Sequence, residues 1–487
     1  MKKYIIIALA AAFTLVSCGK EYLEKAPKQA QSNVLTLSTF EGLDQSTAGA
    51  YVSVASTNWY GADFILSNEM ATMNGKRWPQ IQKYNSGRYL DEYAVHYTQN
   101  STRPLWGQAY FMILCVNSVL EGLENPAIVA TEQQKNNLRA ECLFLRALAH
   151  FDLVRTYAMP YQVAIAAAAA PTNLGVPVVL TVDANAKPAR ETMAKTYEQI
   201  TKDLLKAEEI IDPSYLRAGG ADDAAKVSLQ AIQALLARVY LYSQNWQEAA
   251  DYASKVIGSG KYEMWKADQV KDGAKSVWRE DARPAKGNEV IFEAYCHPNQ
   301  SAGSGSTSVW GMTCYNGYGD CGASADLLNL YEDGDVRKTL VAPDPDGQAL
   351  FTMKYFGKGL SNTDANNVII LRLSEMYLIR AEAILNGATV QGANAADDLK
   401  TIAENRGATP LSATLANVYL ERAKELAWEG HLWFDLARTG RPMTRTDISG
   451  TVPTNIPAGD DCWAMPIASR EFTVNPNLEQ NKGYGKN

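Results

Sequence analysis

Two stretches of the chain concentrate flat aromatic side chains among amides. Residues 56–104 hold Trp59, Tyr60, Trp78, Tyr84, Tyr89, Tyr93 and Tyr97, interleaved with Asn58, Asn74, Gln80 and Asn85. Residues 260–367 hold Trp278, Trp310, Tyr315 and Tyr318, with Asn316 and Asp320. Such rings offer an apolar face and a polar tip. They can lie against the apolar face of a sugar ring while amides and carboxylates bond its hydroxyls. Trp59, Trp78, Trp310 and Tyr315 are the candidate ligand-binding residues. Any one of them could instead pack its loop onto the scaffold, but a set this large predicts that some face outward.

A second chemical signal lies at the start. Lys2 and Lys3 precede a short apolar run, Ile5 to Val16, and Cys18 follows Ser17. The run is too short for a spanning helix and has the layout of a secretory signal, with a cysteine at the cleavage point. The expected outcome is a signal peptide at 1–17, lipidation of Cys18 and a polar tether at 18–33. Several acyl chains, at about 0.8 kcal/mol per buried CH₂, hold a protein on a membrane where one would not.

Reactive constellations are missing from the sequence. His96, His150, His297 and His431 belong to no metal-ligand spacing, and there is no phosphate-binding loop, dinucleotide fingerprint or GxSxG elbow. No catalytic residue, metal or cofactor is expected. His150 falls in an apolar helix and reads as a core histidine, whereas His96 and His297 could touch ligand. The cysteines show no CxxC spacing; Cys115 and Cys142 read as buried thiols, and Cys314 and Cys321 could bridge in an oxidising compartment. Asp344-Pro345-Asp346-Gly347 reads as a turn, lacking the register of a calcium loop. The net charge of −7, with the signs interspersed, argues against a nucleic-acid surface.

Most of the remaining chain must be scaffold. Helices are predicted at about 40–55, 105–124, 132–157, 192–211, 226–242, 245–258, 371–386, 393–406 and 415–438. The one at 132–157 carries two apolar stripes and should lie centrally. Ala237, Tyr240, Ala249 and Ala253, with Asn245-Trp246 at the turn, fit a tetratricopeptide-like helix pair, and 371–406 has a similar layout. Such units stack to bury a continuous core. The long stretches 56–104 and 260–367 break this pattern, and loops of that length are usually functional. Glu421, Glu425 and Glu429 fall on one face of the helix predicted at 415–438, where like charges cost about 0.2–0.5 kcal/mol per pair unless neutralised. Arginines such as Arg146, Arg372 or Arg422 are expected to neutralise Glu425 in a partly buried network, a framework reading preferred over a catalytic carboxylate dyad.

Five ordered blocks carry a resemblance. They are Leu138-Arg139-Ala140-Glu141 through Leu145-Arg146-Ala147 to Phe151-Asp152-Leu153-Val154-Arg155-Thr156-Tyr157; Gly175-Val176-Pro177 with Arg190, Thr192, Tyr197, Ile200, Asp203 and Leu204; Leu371 to Leu378 with Ala381-Glu382-Ala383; Glu421-Arg422, Glu425-Leu426, Glu429-Gly430, Trp433 to Leu436 and Arg438; and Pro466-Ile467, Glu471, Asn475 to Leu478, Gln480-Asn481 and Gly483-Tyr484. In this order, after a lipoprotein cysteine, they resemble the SusD/RagB family of outer-membrane nutrient-binding lipoproteins. Leu432, Ala468 and Lys482 depart from the family pattern at framework positions.

The resemblance implies a mainly α fold in which stacked tetratricopeptide-like helix pairs carry long irregular loops, with residues 34–487 as one domain. It implies a lipid-anchored protein on the outer face of the outer membrane, partnered with a SusC-like TonB-dependent transporter, binding a glycan and no nucleic acid. A peptide ligand, as for RagB-like members, and a surface glycoside hydrolase are the alternatives.

Overall fold

The computed structural model describes residues 36–215, 224–284, 287–296, 305–358 and 364–485. Cys18, the signal segment, the tether and His297 lie outside these. The main helices are α1 (Phe40–Val54), α2 (Asp63–Met70), α3 (Leu105–Leu123), α4 (Glu132–Tyr157), α5 (Met193–Ile210), α6 (Leu229–Tyr242), α7 (Trp246–Gly258), α8 (Leu373–Leu385), α9 (Ala395–Asn405), α10 (Leu415–Glu425) and α11 (Leu432–Arg438). The strands are β1 (Gly75–Lys76), β2 (Val290–Ala294), β3 (Gly322–Ala323), β4 (Val341–Pro343), β5 (Leu350–Thr352), β6 (Val368–Arg372), β7 (Met443–Thr444) and β8 (Asn455–Ile456).

Side chains set the helix starts. Thr39, Thr192, Ser228, Asn394 and Thr414 each accept a backbone N–H from the first turn of the helix they precede. Thr131 and Gln134 form a reciprocal capping box before α4. Each such cap contributes about 1 kcal/mol by satisfying otherwise orphaned donors. From Asn137 to Tyr157 nearly every residue of α4 is buried, as a helix apolar on several sides requires.

Consecutive helices from α3 to α9 pack against one another in chain order. At the α6–α7 turn Ala237, Ala249 and Ala253 are buried, and Tyr240 stacks on Tyr252 at 5.7 Å and 22°. The small residues let the helices approach and the rings fill the remaining gap. The tetratricopeptide-like pairing is therefore present, and the fold is mainly helical.

Three expectations need correction. The stretch 56–104 is not loop throughout, because all eight residues of α2 are buried. The continuous helix expected over 415–438 is broken between α10 and α11, with Trp428 at φ +64° and Gly430 at φ +79°. Tertiary partners take the backbone groups that a helix would use. Tyr331 donates to the carbonyl of Lys424 (2.9 Å), Arg372 to that of Glu425 (2.7 Å) and Tyr355 to that of Trp428 (2.7 Å), while the Gly430 N–H donates to Glu69 (2.6 Å). Cys115 is also half-exposed rather than buried, whereas Cys142 is fully buried.

The main apolar cluster runs from Leu43 to Leu478. A second one, around Trp265, Trp278 and Phe351, lies beneath the 260–367 stretch.

Candidate functional site

The two aromatic stretches meet through a small sheet. β1, from the first, pairs antiparallel with β3, from the second (Gly75↔Ala323, Lys76↔Gly322), and the order continues through β5 to β4. Gly322 is required here, since a Cβ at that position would lie 2.2 Å from Trp78 Nε1. The β4–β5 connection is the turn expected at 344–347. Asp344 Oδ1 accepts the N–H groups of Gln348 (2.7 Å) and Ala349 (3.1 Å), and its Oδ2 accepts from the Tyr84 hydroxyl at 3.0 Å.

Buried Asp320 then fixes the loop after Tyr84. It accepts the Ser86 N–H (3.0 Å), the Ser86 hydroxyl (2.5 Å) and the Arg88 N–H (3.2 Å). The Arg88 guanidinium lies 4.4 Å over the Tyr318 ring. Tyr315 packs at 4.9 Å on Phe356 and meets Phe351 edge-on at 6.1 Å. Trp310 sits on the short helix Val309–Thr313, capped by Ser308. Trp310, Tyr315 and Tyr318 are all half-buried, and Asn316 and Asn85 are exposed. Three rings within nine residues thus keep accessible surface beside exposed amides.

A groove of about 620 Å³ opens beside residues 77–79, within the usual size of a ligand site (roughly 300–1,000 Å³). Its walls include Arg77, Pro79, Leu90, Tyr93, His96 and residues 449–453. Arg77 is buried and donates to Asn85 Oδ1 at 2.7 Å, which links the groove to the loop after Tyr84; its Nε has no partner among the described residues. Tyr93 is held by Arg445, whose guanidinium lies 4.7 Å over the ring and donates to the Tyr93 carbonyl at 2.6 Å. The Ser449 N–H donates to the Tyr93 hydroxyl at 2.8 Å. The 449–453 wall was not legible in the sequence, being a Gly-Thr-Val-Pro run with no aromatic signal.

The four candidate residues separate by burial. Trp310 and Tyr315 keep accessible surface. Trp59 does not: it is 0% exposed, and its Nε1 donates to Asp152 at 2.7 Å, so it has no free face to offer a sugar. Trp78, 9% exposed, lies under the Lys76 ammonium at 4.3 Å and supports the loop from below. His96 is exposed on the groove. His150 is buried, its ring nitrogens occupied by the Arg146 carbonyl and the Val179 N–H, and burial lowers its pKa to about 3. Cys314 and Cys321 are unbridged, buried thiols.

Glu425 has three arginine partners, Arg337, Arg372 and Arg406. Of the arginines expected from the sequence, Arg372 is among them. Arg146 instead pairs with Asp203 and Arg422 with Asp435, a residue of α11 brought alongside α10 beyond the break. Burial alone would raise the Glu425 carboxyl, but the arginines outweigh it and hold it well below the usual range. A carboxyl so held has no proton to give near neutral pH. No group of three or more His, Cys, Asp or Glu among the described residues is placed to hold a metal, and none of their helices is long and apolar enough to cross a membrane.

Comparison with known proteins agrees with this architecture. A family model described as "Starch-binding associating with outer membrane" matches residues 21–241, and the "SusD family" model matches residues 350–484. SusD-like protein P38 of Formosa agariphila is 22% identical, over 99% of this chain and all of its own. A SusD superfamily protein from Bacteroides vulgatus superimposes with a TM-score of 0.79 at 26% identity, covering 92% of this chain and 100% of that one. Surface glycan-binding protein A from Bacteroides thetaiotaomicron shares the fold, with a TM-score of 0.71 at 18% identity over 92% of this chain and 100% of its own. With both family models in chain order on a matching fold, the chain belongs to the SusD/RagB family.

Proposed function

We propose that this protein captures oligosaccharide at the outer surface of the outer membrane and passes it to a SusC-like TonB-dependent transporter, held to the membrane by lipid on Cys18. The observation that carries the reading is the set of accessible rings Trp310, Tyr315 and Tyr318 on a segment whose Asp320 holds Ser86 and Arg88, together with the 620 Å³ groove beside residues 77–79. Family membership supports a carbohydrate-binding, non-catalytic protein of the cell surface. The lipoprotein-type start of the sequence supports the anchor.

Its role is reversible capture. Stacking on a ring needs no bond-making, and bonds from Ser308 and Asp320 brace the loop, which limits the freedom lost on binding. Any lid-like movement over a transporter responds to ligand only if the open and closed forms bind it unequally.

The test is retention of the purified protein on gels containing different polysaccharides, with the eluate assayed for released sugar ends. Retention without cleavage, lost on Trp310→Ala or Tyr315→Ala, is expected. Released ends would make it a hydrolase, and retention by peptides alone would replace the glycan.

A further inference from the structure

A second cleft, of about 250 Å³, lies away from the loop surface, where the α6–α7 turn meets the ends of α8 and α11. It is lined by Gln162, Gln244, Trp246, Asn386, Tyr419 and Thr439, among others. Two aromatic rings, three amides and a hydroxyl converge there, the side-chain types that hold a sugar ring by one face and its edge.

The lining is ordered. Gln162 donates to the Tyr242 carbonyl at 3.3 Å and Asn386 to the Glu382 carbonyl at 2.9 Å. Gln247 ties the turn across to Thr389 through two 3.0 Å bonds. Gln244 adopts φ +58°, a left-handed conformation unusual for a residue with a long side chain. The Gln162 Oε1 is buried with no donor among the described residues.

Two arginines stand at this cleft, and their states differ. Arg438 lines it but is neutralised, donating to both oxygens of Glu382 (2.5 and 2.7 Å) and to Asp435 (2.8 Å). Arg441 is not part of the lining but contacts two residues that are. Its Nε donates to the Thr439 hydroxyl at 2.8 Å, and its guanidinium lies 4.3 Å over the Tyr419 ring. Among the described residues Arg441 forms no ion pair, and its two terminal amino groups form no hydrogen bond. A guanidinium with both amino groups available is suited to a carboxylate, which it can hold in two-point fashion.

We propose that this cleft is a second saccharide site, for a sugar unit bearing a carboxylate, with Trp246 and Tyr419 against the ring and Arg441 on the acid group. The volume, below the range of larger ligand sites (roughly 300–1,000 Å³), suits one or two sugar units. The proposal rests on the glycan reading only for the class of ligand; it shares no residue with the loop surface.

The experiment titrates the full chain with a glucuronate-bearing disaccharide and, separately, with its uncharged methyl ester, following tryptophan fluorescence and ligand-observed NMR. The acid should bind, and Arg441→Gln and Trp246→Phe should each weaken it, Arg441→Gln by about tenfold, as loss of one charge-assisted contact implies. Trp310→Ala should leave this binding unchanged while abolishing polysaccharide retention, so the two sites fail separately. Thermal melts confirm that each variant is folded. Absence of binding, equal binding of the ester, or full binding by Arg441→Gln overturns the proposal.

Discussion

Arg372 grips Glu425 twice, its Nη1 donating to Oε1 at 2.6 Å and its Nη2 to the backbone carbonyl at 2.7 Å. The same guanidinium bonds Glu429 through Nε and Nη2, at 2.7 and 2.9 Å. Arg337, Lys354, Arg406 and Lys424 join it, against Glu289, Asp335, Glu421, Glu425 and Glu429. Five cations face five anions, so the cluster is formally neutral and can stay buried. It draws β6, α10 and the 335–337 segment together at the turn between α10 and α11.

Glu425→Gln should therefore lower stability by roughly 3–5 kcal/mol, the usual cost of breaking a buried pair from one side. Glu404→Gln, whose partner Lys400 is exposed, should change it by about 1 kcal/mol or less. Urea denaturation measures both. An Glu425→Gln protein of parental stability that no longer holds glycan would refute the framework role.

Glu69 gives a pH signature. Burial raises its pKa to about 7, although Asn74 and the Gly430 N–H donate to it and Lys354 lies nearby. The folded chain keeps that proton up to about pH 7, whereas the unfolded chain releases it near the ordinary carboxylate value, about 4.3. Stability should fall as pH rises across that window, at up to about 1.4 kcal/mol per pH unit. Glu69→Gln should remove this slope in denaturation series at pH 5, 6 and 7.

His150 acts in the opposite sense. Its lowered pKa of about 3 means that the unfolded chain takes up a proton near pH 6.5 that the folded chain refuses. Stability is therefore lost as pH falls below about 6.5, and this arm should persist in the Glu69→Gln protein. A Glu69→Gln protein whose stability does not change between pH 6.5 and 4 would contradict it.

Trp59 and Trp310 should part company on substitution. Trp59→Phe removes the bond to Asp152 and should cost about 1–3 kcal/mol of stability with glycan retention intact. Trp310→Ala should still unfold cooperatively but lose roughly 2 kcal/mol of binding, the scale of a central aromatic contact. Melting curves and affinity gels on the same samples decide it.

Gly430 permits the break between α10 and α11. At φ +79° a Cβ there would meet Ile65 Cδ1 at 3.0 Å, so Gly430→Ala should cost roughly 1–3 kcal/mol. Gly459, at φ +77° with open space around it, should tolerate alanine better, at about 1 kcal/mol. Equal losses in the two variants would mean that the contact with Ile65 carries no weight.

Local residue patterns were enough to lay out the scaffold. Periodicity marked α1, α3–α9 and the Ala237–Ala253 pairing, because that signal is local and repeats every turn. The sequence also marked the 344–347 turn, which Asp344 closes with its own neighbours, and named Arg372 as a partner of Glu425. Which rings stay accessible depends instead on packing between distant segments. Trp59 and Trp310 look alike in a list of aromatics, yet one meets Asp152 from α4, 93 positions away, and the other stands on a short capped helix. Tertiary contacts also decided the helix break and the arginine partners Arg337 and Arg406, and they brought the 449–453 wall to the groove. Burial and partner choice are properties of chain segments brought together, and local residue order does not encode them.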